Sequence, residues 1–146
     1  MPGRRAEAGF EARLTNLLRE LNRQGSYRLS LLCTEQGLLL GSAGALEQCE
    51  QAAGLTSLFD DIVVRAVRDL SVSRVDELTL VDDAGIRYII RPLPLSTLRV
   101  FLVVAAPRNA TWRRNTNQLV RDLQPLLEPF AASVSGAALE EVTDAA

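Results

Sequence analysis

The chain has 146 residues, 47% of them hydrophobic and 23% charged, which suits one compact domain with a sizeable core. Sixteen basic and eighteen acidic residues leave a formal charge of -2, so the chain has no global attraction for nucleic acid or for an anionic membrane. Histidine is absent and every basic residue is arginine, which excludes hydrolysis with a histidine base, histidine-ligated zinc, Schiff-base chemistry and the lysine-bearing phosphate loop.

In chain order, residues 5–24 place Phe10, Leu14, Leu17, Leu18 and Leu21 on one narrow stripe, predicting an amphipathic helix that ends near Gly25. In YRLSLLCTEQGLLLGSAG, Leu29, Leu31 and Cys33 alternate with Ser30, Leu32 and Thr34. Glu35-Gln36-Gly37 then reads as a turn and Leu38 to Leu40 as a second strand, closed by Gly41 to Gly44. From Leu46 to Leu70 the pattern is helical but changes phase at Gly54. Leu55, Leu58, Phe59, Ile62, Val63, Ala66, Val67 and Leu70 share one half of the wheel, while Leu46, Cys49, Ala52 and Ala53 are rotated by about a quarter turn. A short helical lead-in followed by a main helix fits this change, with Ser57-x-x-Asp60 as a capping box; one kinked helix is the alternative.

Glu77 to Asp82 reads as a strand, Asp82-Asp83-Ala84-Gly85 as a turn and Ile86 to Pro92 as its partner. Ile86, Tyr88 and Ile90 face one way, Arg87 and Arg91 the other. LRVFLVVAAP then suits a central strand covered on both faces. The last helix begins near Asn109 to Thr111 and aligns Trp112, Leu119, Val120, Leu123, Leu126, Leu127 and Phe130 on one stripe. Pro125 lies on its outer face, where it is expected to bend or end the helix. A single domain over 5–131 with a flexible tail over 132–146 is expected. The order is α-β-β-α-β-β-β-α, an α/β (α+β) class chain, and an antiparallel sheet is the simplest solution for it.

Little here points to chemistry. Asp60-Asp61 and Asp82-Asp83 are carboxylate pairs of the kind that hold magnesium, but a helix first turn and a hairpin turn explain them. Cys33 and Cys49 form no Cys-x-x-Cys pair and read as small buried hydrophobes. Gly41 to Gly44 lacks the spacing of a phosphate loop, and Arg4-Arg5 and Arg113-Arg114 read as solvated. The expectation is therefore no catalytic centre, no cofactor and no metal. No run approaches the length of a membrane helix, and the N-terminus lacks the apolar core of a signal peptide, so a cytoplasmic protein without membrane insertion is expected. Val64 stands out, as the apolar centre of the charged helix face formed by Asp61, Arg65 and Arg68. Such a face suits a helix-mediated contact.

Taken together, YRLSLLCTEQGLLLGSAG, LFDDIVVRAVRDL, ELTLVDDAGIRYIIRPL and LRVFLVVAAP resemble the Roadblock (dynein light chain) family over roughly residues 8–130. The resemblance implies a five-stranded antiparallel sheet sandwiched between one central helix and two terminal helices. It also implies pairing with a second copy or a paralogue through the central helix and third strand, and a platform for small Ras-like GTPases. Bacterial members similar to the polarity-system regulator act as GTPase-activating proteins, while others are dynein subunits or scaffold components. On this chain the strand residues Leu78, Thr79, Leu80 and Val81 form an expected sheet edge, and Leu58 and Ile62 an expected helix contact across a two-fold axis. Asp61, Val64, Arg65 and Arg68 are the expected GTPase-facing surface. A small-ligand sensory domain is the rival reading; it requires a pocket with converging polar groups.

Overall fold

The computed structural model describes residues 2–95 and 97–144, with the side chains of 9–95 and 97–133. Helix α1 (Pro2–Gly25) leads into strands β1 (Leu29–Thr34) and β2 (Leu39–Ala43). Helices α2 (Leu46–Gly54) and α3 (Thr56–Asp69) follow, then strands β3 (Leu78–Val81), β4 (Ile86–Leu93) and β5 (Val100–Pro107), and helix α4 (Arg113–Asp144). The strands form one sheet in the order β2-β1-β5-β4-β3, with every neighbouring pair antiparallel. The fold is thus the expected α/β sandwich with a five-stranded antiparallel sheet.

β5 lies between β1 and β4, and its residues Val100 to Ala106 are all buried, which accounts for the unbroken apolar run: a strand covered on both faces has no polar side. Alternate residues feed two cores. On one face Leu14, Leu18 and Leu21 of α1 and Leu119, Leu123 and Leu127 of α4 pack on Leu32, Ile89, Leu102 and Val104. On the other, Cys49 and Ala53 of α2 pack on Leu29, Leu31, Ile90, Phe101 and Val103.

The terminal helices run antiparallel, pinned at both ends. Phe10 and Phe130 stack with ring centroids 5.3 Å apart. At the opposite end the Tyr27 hydroxyl donates to the Thr111 carbonyl at 2.6 Å and accepts from Asn115 Nδ2 at 3.1 Å. Gly25 makes this possible, because a Cβ there would sit 2.0 Å from the Tyr27 ring. Burial pushes the Tyr27 phenol pKa upward, against the smaller pull of Asn115, so the hydroxyl stays protonated and able to donate.

The segment Leu46 to Leu70 is a short helix followed by a main helix, broken at Gly54-Leu55 as the change of phase leads one to expect. Other local expectations are corrected. No capping box forms at Ser57-x-x-Asp60. Leu55 caps α3 without a side-chain hydrogen bond, and the Asp60 carboxylate is drawn to Arg99 across the fold. α4 starts at Arg113, after a turn in which the Ala110 N–H bonds the Pro107 carbonyl. It continues through both Pro125 and Pro129 to Asp144. Both prolines are exposed. Each removes one N–H on the water side, while the stripe through Leu123, Leu127 and Ala131 keeps the helix docked. The backbone of 132–144, expected as a tail, is helical; Ala145 and Ala146 lie outside the described residues, as do the side chains of Arg4 and Arg5.

Candidate interaction surface

The strongest departure from a filled core is around α3. Of the stripe that the periodicity assigns to one face, only Phe59, Val63 and Ala66 are half-buried. Leu55, Leu58, Ile62, Val67 and Leu70 remain exposed, joined by Val64 and by Leu80 and Val81 of β3. Among the described residues, eight of the ten exposed large hydrophobic side chains thus fall within residues 55–81, and such concentration marks an interaction surface where scattered leucines do not. The stripe spans too much of the helix circumference for one sheet to cover it, so both flanks project past the contact.

β3 is a sheet edge, paired only with β4 through Leu78↔Ile90, Thr79↔Ile89, Leu80↔Tyr88 and Val81↔Arg87. Its outer backbone groups are therefore available to another strand. Leu78 and Leu80 point to the α3 side, with Ile90 and Tyr88, while Thr79 and Val81 point to the opposite face.

The second predicted surface also sits on α3. Asp61, Val64, Arg65 and Arg68 fall within about 100° of the helix circumference and all are exposed. Arg65 Nε lies 3.0 Å from Asp61 Oδ2, and Arg68 turns to Asp69 with contacts of 2.7 and 3.1 Å. The Arg68 hydrogen bond holds the Asp69 carboxyl below its ordinary pKa. Val64, 40% exposed, is an apolar island between these charges, so the face can present both a desolvatable centre and orienting charge.

Two contacts that the sequence did not disclose position these elements. Arg99, just before β5, reaches Asp60 of α3 at 2.7 and 3.0 Å and Glu35 of the β1–β2 turn at 2.6 Å. With Asp60 largely shielded by the fold, this bridge fixes the first turns of α3 against the sheet. Arg91 of β4 is buried on the opposite face, bonded to Thr116 Oγ1 at 2.9 Å, to Asn117 Oδ1 and to Asp76 Oδ1 at 3.1 Å. It thereby ties α4 to the connection leading into β3, and Arg113 adds a 3.1 Å bridge to Glu77 while lying over the Trp112 ring. Arg113 is thus exposed but paired, where the sequence suggested only solvation.

Arg74 is exposed in the connection 70–77 and Arg108 is exposed after β5, the latter packed close to Gly85 of the β3–β4 turn. Cys33 is buried and 3.0 Å from Thr56 Oγ1; burial pushes its thiol up to about 11, as an inert packing residue requires. Among the described residues no group of three or more Cys, Asp or Glu side chains could hold a metal ion, and no helix is long and apolar enough to cross a membrane. Between the α2–α3 pair and the sheet lies a cleft of about 360 Å³, whose walls include Gln51, Ala52, Leu55, Phe59, Tyr88 and Val103.

No protein-family model matches the sequence, and no curated protein matches it. Solved structures match the fold. A Roadblock/LC7 domain from Streptomyces avermitilis has a TM-score of 0.68 at 18% identity, covering 78% of this chain and 97% of that one. MglB of Myxococcus xanthus has a TM-score of 0.70 at 16% identity, covering 81% and 90%. An MglB in a tetrameric arrangement has a TM-score of 0.69 at 16% identity, covering 82% and 91%. The architecture is therefore the Roadblock/LC7 fold.

Proposed function

We propose that this chain is a dimeric Roadblock-like interaction module of the cytoplasm that binds and regulates a small Ras-like GTPase, with no catalytic centre of its own. The observation that carries the reading is the juxtaposition on α3 and β3 of an unpaired strand edge, an exposed apolar stripe through Leu58 and Ile62, and the charged face around Val64. Addition of β3 to β3 of a second copy satisfies the edge backbone and brings the two α3 stripes together as an isologous contact. The paired α3 helices then offer Asp61, Val64, Arg65 and Arg68 to the GTPase. The likeness to MglB, one structure of which is in a tetrameric arrangement, supports the assembly, and the resemblance to the Roadblock family supports the class of partner.

GTPase activation, in this reading, works by ordering the GTPase's own catalytic groups. An inserted arginine must project to the γ-phosphate. Arg65 and Arg68 are held on a helix, Arg99 is engaged with Asp60 and Glu35, and Arg74 and Arg108 sit on short connections. The test is retention from native cytosol on immobilised protein, with GDP or a non-hydrolysable GTP analogue, followed by single-turnover hydrolysis with the GTPase retained. Retention of no GTPase in either nucleotide state overturns the reading. Retention without faster hydrolysis replaces activation by a scaffold role.

A further inference from the structure

We infer that the cleft between the α2–α3 helices and the sheet binds an anionic amphiphile, of the class of a straight-chain monocarboxylate. The cleft is built along a direction. At one end it is polar, lined by Arg28 just before β1 and by the amides Gln48 and Gln51 of α2. From there its floor crosses Val103 of β5 and Tyr88 of β4 and ends at Leu80 of β3. Three strand steps at ~4.8 Å each make a path of roughly 14 Å, the extent of an extended chain of about ten carbons, and the volume of about 360 Å³ is of the size that holds a small ligand.

The charge of the lining selects the headgroup. Among the described residues, Arg28 is the one charged residue of the lining, and no carboxylate belongs to that lining. An arginine with two glutamine amides in the same lining suits a carboxylate, while the apolar floor favours an alkyl chain over a sugar or nucleotide. The space exists because α2 presents the small side chain of Ala52 toward it. A larger residue there fills it. A second copy paired at β3 closes the Leu80 end and leaves the Arg28 end, three strands away, accessible to the headgroup. The assignment uses only this chain's own walls, so it stands independently of any GTPase.

The probe is decanoate below its micellar concentration, titrated calorimetrically into the full chain at neutral pH, with decan-1-ol as the uncharged comparison. Wild-type protein is expected to bind one decanoate per chain saturably. Arg28→Gln, an exposed position, is expected to weaken decanoate by about ten- to a hundredfold through loss of a charged hydrogen bond and to leave decan-1-ol unchanged. Ala52→Trp is expected to abolish binding of both while the circular dichroism spectrum is retained. The proposal is overturned by absence of saturable decanoate binding to wild type, or by Arg28→Gln affecting the acid and the alcohol alike. Binding that appears only after Leu58→Ala has separated a dimer overturns it equally, because the partner's side chains then occupy the cleft.

Discussion

Truncating Leu58 to Ala tests the assembly at its apolar centre. In the single chain Leu58 keeps 60% of its surface exposed. Full burial of a leucine contributes about 1.5–3 kcal/mol, so the uncovered part carries about 0.9–1.8 kcal/mol. An isologous interface uses the side chain twice, giving about 2–3.6 kcal/mol per dimer. Because the alanine Cβ still packs, the lower half of that range is expected, a rise in the dimer Kd of roughly thirty- to a hundredfold. Dilution series by sedimentation or light scattering read this directly. The same variant leaves the isolated chain nearly as stable as wild type, since the lost contact surface is mostly solvent-facing there, and thermal unfolding at high dilution checks that. A wild-type chain that is monomeric at micromolar concentration, or a dimer whose Kd ignores Leu58→Ala while the fold is intact, refutes the reasoning.

Val64→Glu is expected to abolish GTPase retention while dimer mass and melting temperature stay unchanged, because Val64 lies on the charged face of α3 and 40% of it is exposed; persistence of binding in a retention assay would move the docking surface elsewhere. Arg74→Ala and Arg108→Ala are each expected to leave any stimulated hydrolysis within a few-fold of wild type, and a loss of orders of magnitude at unchanged affinity would establish an inserted arginine. Replacing the buried Arg91 with Ala is expected to cost about 3 kcal/mol in urea unfolding, towards the low end for a broken buried ion pair, since its partner Asp76 is 57% exposed and rehydrates; Arg91→Leu, which refills the volume, is expected to cost less. Cys33 favours its thiol form in the folded chain, with its pKa raised from 9.0 to about 11, so the unfolded chain releases the proton first. Its contribution to stability is then full below pH 9 and falls as pH rises towards 11, and thiol reagents at pH 8 are expected to label it only at the rate of unfolding.

Features that repeat over a few residues could be read before any fold was known. The alternation of Leu29, Leu31 and Cys33, the Asp82-Asp83-Ala84-Gly85 turn and the continuous run of β5 each express a contact pattern within a few residues, so strands, turns and the two sheet faces were legible. Val64 was legible too, as a single apolar residue on a charged helix face. The tertiary structure alone decided how much of an apolar stripe finds a partner. Periodicity records that Leu58, Ile62 and Phe59 share one side of α3; it does not record that one sheet covers Phe59 and leaves the other two in water. The same holds for charges distant in sequence. Asp60 was a first-turn carboxylate until Arg99, 39 residues later, arrived at hydrogen-bonding distance, and the face assigned to Arg91 did not disclose that α4 closes over it with Thr116 and Asn117. Helix termination by Pro125 failed for a related reason: the local cost of one missing donor is smaller than the burial of Leu123, Leu127 and Ala131 on a sheet that only the folded chain supplies.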